Sequence, residues 1–390
     1  DGWQDMYISN DFFEKDYLYI NNQDGTFKES IEDYLTEISM GSMGADMADI
    51  NNDSYPEIFV SEMLPERHDR RVSKAVFDSW DKYQLSISQG YFNQFNRNVL
   101  QLNNADGSFS EISRITGVDA TDWSWGALIF DMDNDGLKDI FVANGIYKDL
   151  LDQDYVNFLA NPSIISNMIK SEKEPIKKLI DMIPTESIGN YAYKNNGDLS
   201  FSDVSSQFGI DTPSFSNGSA YSDLDNDGDL DLVINNVNMP AFIYRNNSKS
   251  NWVSFSFSSD GLNTYGIGNK LYVYVNGGVQ YQELSPMRGF QSSVDYRLYF
   301  GLDTTKEIDS IRVIWNNGLE TSIKNLTSNK HYVISEKLAS DNKKKLVSGQ
   351  DKKLLTNKKI DIDFSHLENE FVDFDRERLL FKMNSNEGPC

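Results

Sequence analysis

The sequence predicts an all-β protein, in which a partial β-propeller of four-stranded blades is followed by a small β-sandwich-like domain. Two observations lead to this fold class. An acidic loop that runs into a β-branched strand recurs within residues 1–249, and a hairpin pattern follows each copy. From residue 250 the acidic loops stop, while apolar and polar residues continue to alternate through several short strands.

The acidic loop is clearest at Asp223–Asp231, which reads DLDNDGDLD and continues as LVINN. Acids at positions 1, 3 and 5 can turn their oxygens toward one centre, and Gly228 at position 6 permits a sharp bend. An EF-hand needs a bidentate Glu at position 12, where this chain has Ile234. The spacing therefore favours another kind of calcium loop, and a metal-free acidic turn is the alternative.

The loop recurs elsewhere in the chain. Asp131–Asp139 reads DMDNDGLKD and has acids at positions 1, 3, 5 and 9 and glycine at position 6. Asp49–Glu57 reads DINNDSYPE, in which Asn51 replaces the acid at position 3 and Ser54 replaces the glycine at position 6. The chain opens with DGWQD, the second half of a further copy, which predicts a fragment. We expect calcium to bind the side chains of positions 1, 3, 5 and 9 and the position-7 carbonyl. The candidate ligands are Asp1 and Asp5; Asp49, Asn51, Asp53, Tyr55 and Glu57; Asp131, Asp133, Asp135, Leu137 and Asp139; and Asp223, Asp225, Asp227, Asp229 and Asp231.

Each loop belongs to a longer repeat. The strand after the loop is followed by a hairpin with an Asn-Asn turn: YLYINNQDGTFKE from Tyr17, VLQLNNADGSFSE from Val99, YAYKNNGDLSFSD from Tyr191 and FIYRNNSKSNWVS from Phe242. A strand rich in small residues precedes each complete loop, as in WSWGALIFDMD and SNGSAYSDLD. One unit thus has four strands, with the acidic loop between the first and the second, which is typical of a propeller blade. Four blades are visible, the first truncated. A β-sandwich or a solenoid is the alternative architecture.

These units resemble FG-GAP (VCBS) repeats, the blades of integrin-α-type propellers, whose calcium loops join the first two strands of a blade. Such propellers usually close with about seven blades, so about three are expected upstream. Residues 250–336 carry five separated motifs: Gly266-Ile267-Gly268, Arg288-Gly289-Phe290, Gln291-Ser292-Ser293, Phe300-Gly301-Leu302 and the strand at Trp315. On these motifs the segment resembles the ASPIC/UnbV domain, which follows such propellers in Bacteroidetes-type surface proteins and in the cartilage-acidic-protein family. The two resemblances imply calcium as a cofactor and an extracellular or outer-surface location.

Two excursions with helical character interrupt the blades, near residues 62–96 and 146–188. Long insertions on a rigid scaffold often bind partners, so the first excursion, which is basic and aromatic, is the predicted ligand site. Capping of the propeller face is the alternative. Its candidate ligand-binding residues are Arg70, Arg71, Trp80, Tyr83 and Tyr91.

The C-terminal part of the chain has two further segments. Residues 337–360 are highly charged and poor in apolar side chains, which predicts a linker. Residues 361–390 become hydrophobic again and resemble the lead-in to a following module.

Composition narrows the function classes. A formal net charge of −24 over 390 residues disfavours nucleic acid and anionic membranes as partners. No apolar run reaches the length of about 18 residues that a membrane helix needs. The three histidines are scattered and no hydrolase motif is present, so no catalytic residue is assigned. We predict a secreted or cell-surface calcium-binding protein that binds an extracellular glycan or protein without catalysis; a polysaccharide lyase or hydrolase is the alternative.

Overall fold

The computed structural model describes residues 2–11, 14–74, 79–259 and 261–340. The chain divides into two units, one of Asp1–Val76 with Gly90–Asn342 and one of Phe77–Gln89 with Lys343–Cys390. All strands among the described residues belong to the first unit. Beyond Ser340, the predicted linker and lead-in lie outside the described residues.

Successive antiparallel sheets form the first two blades. Blade one consists of β1 (Met6–Ile8), β2 (Tyr17–Asn21) and β3 (Phe27–Glu29), and is followed by α1 (Ile31–Tyr34) and β4 (Ile38–Ser39). Blade two begins with β5 (Ala45–Ala48) and β6 (Glu57–Val60). Its excursion holds α2 (His68–Lys74), α3 (Trp80–Ser88), which is part of the second unit, and β7 (Gln94–Phe95), which pairs with β4. Strands β8 (Val99–Asn103) and β9 (Phe109–Glu111) complete the sheet.

Blades three and four repeat the pattern after α4 (Ser113–Thr116). Blade three consists of β10 (Ser124–Phe130), β11 (Asp139–Asn144), an excursion with α5 (Gln153–Leu159), α6 (Pro162–Ser171) and α7 (Pro175–Met182), and then β12 (Tyr191–Asn195) and β13 (Phe201–Asp203). Blade four consists of β14 (Ser216–Ser222), β15 (Asp231–Asn236) and β16 (Phe242–Tyr244). In blades two to four the acidic loop joins the first two strands, so the prediction of propeller-type blades is confirmed. Blade four has three strands, because Asn251–Ser258, predicted as the last strand of its hairpin, pairs within the following domain instead.

The remaining strands form two sheets that share one core. They are β17 (Asn251–Ser258), β18 (Lys270–Val275), β19 (Gly278–Glu283), β20 (Leu298–Asp303), β21 (Glu307–Ile314), β22 (Glu320–Thr327) and β23 (Lys330–Ser335). One sheet has the order β20-β17-β23, with β17 and β23 parallel, and the other has the order β19-β18-β21-β22. Phe255 and Phe300 of the first sheet are buried with Trp315, which follows β21. The predicted β-sandwich-like domain is confirmed.

Apolar side chains on both faces of the sheets hold the blades together. Phe59 of blade two lies in one core with Ile140 of blade three. Phe141, on the opposite face of blade three, lies in another core with Leu232 and Ile234 of blade four. Because side chains alternate along a strand, each sheet can bury one set of residues on either side.

The sandwich domain contacts the propeller through its Arg288-Gly289-Phe290 motif. Arg288 donates from Nε to Asp46 Oδ1 at 2.5 Å and from Nη2 to Asp46 Oδ2 at 2.8 Å. Asp46, in β5, is 3% exposed and also accepts from the Ile129 amide of β10. The ring of Phe290 lies 5.2 Å from that of Trp125, between centroids. The motif thus joins the sandwich to the first strands of blades two and three.

Asp16, directly before β2, is a buried acid. Its carboxylate accepts from the hydroxyls of Tyr7 at 2.5 Å and Ser42 at 2.8 Å and from the Asn10 amide at 2.8 Å. The corresponding place before β8 holds a neutral residue, Asn98. Burial raises the pKa of Asp16 from 3.8 to about 6.

The raised pKa predicts that Asp16 stabilises the fold most when it is protonated. Its contribution is fully present below its ordinary pKa and is lost as the pH rises through about 6, a loss of about 3 kcal/mol. We expect Asp16→Asn to remove this pH dependence and to be more stable than the wild type near pH 8. Urea unfolding between pH 4 and pH 8 measures the free energy of unfolding of both proteins. Asp309→Asn, at an exposed position, is the control. Parallel pH profiles for Asp16→Asn and the wild type would contradict the assignment.

Candidate metal centres at the acidic loops

The loop between β10 and β11 folds around the carboxylate of Asp131. Its Oδ1 accepts from the Asp135 amide at 3.1 Å, and its Oδ2 accepts from the Gly136 amide at 2.8 Å. Gly136 has a φ of 93°, in the left-handed region that favours glycine. Asp139 Oδ1 accepts from the Asn195 amide at 2.9 Å, which ties the loop to the end of β12.

Three carboxylates meet in this loop. Asp131, Asp133 and Asp139 each offer one oxygen within 4.8 Å of the others. Burial, and then the charge of Asp135, raises the pKa of Asp131 to about 7, and burial and Asp131 raise the pKa of Asp139 well above its usual value. One buried oxygen of Asp133 has no hydrogen-bond partner. Because carboxylates this close repel one another, and because hard oxygen ligands suit calcium, the donor set fits this ion.

The loop between β14 and β15 has the same geometry. Asp223 accepts from the amides of Asp227 and Gly228, each at 3.1 Å. Asp231 accepts from the amide of the second residue after β16 at 2.8 Å. Asp223, Asp225 and Asp227 each bring one oxygen within 4.8 Å of the others, which makes a second cluster.

The side chain of Asp229 adds to this second cluster, although the sequence predicts a ligand role only for its carbonyl. Asp229 is 2% exposed, and neither of its side-chain oxygens has a hydrogen-bond partner. Burial, and then the neighbouring Asp227, raises the pKa of Asp229 to about 7. Since a buried, unpaired carboxylate is costly, a cation bound here would relieve it.

The loop at Asp49–Glu57 keeps the backbone geometry without the acid cluster. Asp49 accepts from the amides of Asp53 at 3.1 Å and Ser54 at 3.0 Å. Ser54 has a φ of 73°, so a serine adopts the bend for which the pattern favours glycine. Asn51 donates its side-chain amide to Asp53 at 2.9 Å. Within residues 14–74 no group of three acids comes together, and metal binding here stays a prediction.

The half-copy at the start of the chain is described only in part. Asp1 lies outside the described residues. Asp5 accepts from the Asn21 amide at 2.8 Å, the same contact that the position-9 acids make in blades three and four. Metal ligation by Asp5 and by the carbonyls of Tyr55 and Leu137 stays a prediction.

An asparagine at position 4 ties neighbouring loops together. Asn52, Asn134 and Asn226 all have left-handed φ values, from 57° to 60°. Asn52 Nδ2 donates to the Gly136 carbonyl at 3.1 Å, and Asn134 Nδ2 donates to the Gly228 carbonyl at 3.2 Å. The loops of blades two, three and four therefore lie side by side on one rim. The sequence indicates this contact between loops, because asparagine stands between the position-3 and position-5 residues in all three complete loops.

The sandwich domain covers the loops of blades three and four. A side chain at Gly301, in β20, would overlap Asp131 Oδ2 and the Asn134 backbone. A side chain at Gly228 would likewise overlap the ring of Trp252, in β17. Glycine in the Phe300-Gly301-Leu302 motif is therefore explained by the close approach of β20 to the loop.

Comparison with protein families agrees with this architecture. The family model of the FG-GAP-like repeat matches residues 1–60 and 86–142, which hold blades one and two and the start of blade three. The model named ASPIC and UnbV matches residues 259–341. The chain carries FG-GAP-like repeats followed by an ASPIC/UnbV domain. The ASPIC/UnbV match holds strands β18 to β23 of the sandwich, including β20, which lies over the blade-three loop. Among curated proteins, none matches the chain.

The prediction that Arg70 is available to a ligand is wrong. Arg70, in the excursion of the second FG-GAP-like blade, is 3% exposed. Its Nε and Nη2 bind the two oxygens of Asp122 at 2.6 and 2.8 Å, and its Nη1 pairs with Asp149 at 3.0 Å and Glu186 at 2.7 Å. The basic segment thus supplies an internal ion-pair network that joins the two excursions. The acidic partners lie far along the chain, so local spacing did not reveal them.

The other predicted ligand residues stay predictions. Arg71 is partly exposed and donates from Nε to the Pro65 carbonyl at 2.7 Å. Tyr91 is 41% exposed. Trp80 and Tyr83 lie on α3, in the second unit, with ring centroids 5.6 Å apart.

Proposed function

We propose that this protein is an extracellular calcium-binding recognition protein that binds a protein or glycan ligand without catalysis. The observation that carries the proposal is the pair of three-carboxylate clusters, built by two loops of the same acidic pattern, the first of them within the FG-GAP-like match. Flexible loops with many oxygen donors favour calcium, because magnesium demands a small and nearly octahedral site. FG-GAP-like repeats are typical of extracellular or surface proteins. Among the described residues, no helix is long and apolar enough to cross a membrane.

The second excursion offers a surface for the partner. Helices α5, α6 and α7 contain no buried residue, and their aliphatic side chains include Ile169 at 56% and Ile176 at 73% exposure. At its base, Asp149 pairs with Arg70 and Lys74 of the first excursion, which anchors the segment. Exposed aliphatic surface of this kind often marks protein interaction sites, so it favours a protein ligand over a glycan.

Removal of calcium is expected to lower the melting temperature. Calcium that binds only the folded state contributes about 2.7 kcal/mol per site at 100 times Kd. Thermal scans after EGTA treatment should show a lower Tm, which calcium restores and an equal concentration of magnesium does not. In the variant with Asp133→Asn and Asp225→Asn, calcium should no longer raise Tm. A melting curve that EGTA leaves unchanged would exclude calcium as a structural ligand.

Recognition is tested by binding of the calcium-loaded chain to arrays of extracellular proteins and glycans. Serine in place of Ile169 and Ile176 should weaken capture by about tenfold or more, because burying one isoleucine side chain contributes about 1.5–3 kcal/mol. Tm should stay the same, since both residues are exposed. The matched control is Val333→Ser, at a 65% exposed position in β23. Equal binding by the isoleucine variant and the control would contradict the surface, and release of sugar ends from an arrayed polysaccharide would contradict the absence of catalysis.

A further inference from the structure

Blades three and four each place one basic side chain over the acidic loop. Lys194 Nζ pairs with the position-3 acid and, at 2.7 Å, with the position-5 acid. Arg245 Nη2 pairs with the same two positions of its own loop, at 2.7 and 3.4 Å. The acids are Asp133 and Asp135 in blade three and Asp225 and Asp227 in blade four.

The two basic residues occupy the same place in the repeat. Each directly precedes the Asn-Asn turn, at the end of the third strand of its blade. The corresponding residues of blades one and two are Ile20 and Leu102. Within the described residues, three-carboxylate clusters occur in blades three and four, whereas the complete loop of blade two holds none. A basic residue is therefore present at the two loops with an acid cluster, and the complete loop of blade two, which has no cluster, has Leu102 at that place.

This arrangement has opposite effects in the metal-free and the calcium-bound loop. Without metal, a cation beside positions 3 and 5 reduces the repulsion among the carboxylates. Calcium would bring two positive charges to the same oxygens, where an ammonium or guanidinium group repels it. We infer that Lys194 and Arg245 are tethered counter-ions, which support the metal-free loops and swing toward solvent when calcium binds. The inference rests on the proposed calcium function and adds that both residues lower calcium affinity.

Lys194 should compete with calcium more strongly than Arg245. The Lys194 side chain is 30% exposed, whereas that of Arg245 is 66% exposed. Water screens an exposed ion pair more than a half-buried one. We expect Lys194→Met to raise the calcium affinity of its loop by about tenfold and Arg245→Met by about twofold to threefold.

Calcium titration calorimetry on the full chain tests the inference at the blade-three loop. All proteins carry Asp225→Asn, which disables the blade-four cluster. Lys194→Met should bind calcium about tenfold more tightly, whereas Lys324→Met, which removes an exposed charge from β22, should leave the affinity unchanged. Without calcium, Lys194→Met should melt at a lower temperature than its parent, and saturating calcium should abolish the difference. Lys194→Gln serves as a second variant if the methionine variant does not fold.

The possible failures are distinct. If the Asp225→Asn protein with native Lys194 takes up no calcium, the proposed calcium function fails at this loop. If it binds calcium and Lys194→Met binds equally or more weakly, the tethered counter-ion is overturned while the calcium function stands. If Lys194→Met lowers Tm by the same amount with and without calcium, Lys194 is an ordinary ion-pair partner, and the inference is likewise overturned.

Discussion

Replacement of Arg288 by alanine is expected to lower the free energy of unfolding by about 3–5 kcal/mol, because it leaves a buried charge without its partner. Asp46 is 3% exposed, and both of its side-chain oxygens accept from the Arg288 guanidinium. Nη2 of Arg288 also donates to the Ile129 carbonyl at 2.9 Å. The substitution removes hydrogen bonds that join the ASPIC/UnbV domain to blades two and three. Urea unfolding of the full chain measures it.

Two further variants separate the ion pair from general damage to the domain. The double variant Arg288→Met with Asp46→Leu should recover much of the stability, because it leaves no charge buried. Arg312→Ala removes a partly exposed pair with Glu320 in the sandwich, and should cost less than about 1 kcal/mol. If Arg288→Ala were no more destabilising than Arg312→Ala, the ion pair would not be what holds the domain on the propeller.

Replacement of Arg70 by alanine should cost a similar amount, about 3–5 kcal/mol, for the same reason. Asp122 and Asp149 are 3% and 2% exposed; Asp122 would lose this cation, and Asp149 would keep only Lys74. Because this cation joins the two excursions, we expect faster proteolysis within residues 146–188 as well as a lower unfolding free energy. Equilibrium unfolding and timed digestion measure the two effects.

The neighbouring Arg71 provides the matched control. It is partly exposed, and its Nε contacts the Pro65 carbonyl, so Arg71→Ala should change stability by less than about 1 kcal/mol. If Arg70→Ala instead kept full stability and weakened partner binding, the role of Arg70 as a ligand contact would be restored.

The loops and blades could be predicted because their determinants are close together in the sequence. Asp131 and Gly136 lie in one short segment, and the run after Asp139 is β-branched and apolar, so loop and strand follow from local pattern. Long-range contacts leave no such pattern. Arg70 binds Asp122, which is 52 residues away. The sequence of a basic segment does not show whether its side chains form buried ion pairs or face solvent.

The candidate site was predicted in outline for the same reason. The acids at positions 1 and 9 are where the spacing predicts them, but they also accept backbone amides, which spacing alone does not show. Lys194 is plain in the sequence, yet it lies 61 residues from Asp133, and only the fold brings the two together. At Ser54 the residue type alone argues against the observed left-handed φ. The hydrogen bond from the Ser54 amide to Asp49 stabilises this conformation.

If calcium binds as proposed, the asparagine contacts along the rim should couple the filling of neighbouring loops. Asn52 and Asn134 each hold the position-6 carbonyl of the next loop, directly before the predicted position-7 ligand. Ordering of one loop thus reduces the entropy that its neighbour must lose, which is positive cooperativity and acts equally in both directions. Calcium would then fill the rim over a narrow concentration range. The blade-two loop, although it lacks an acid cluster, supports its neighbour whether or not it holds an ion.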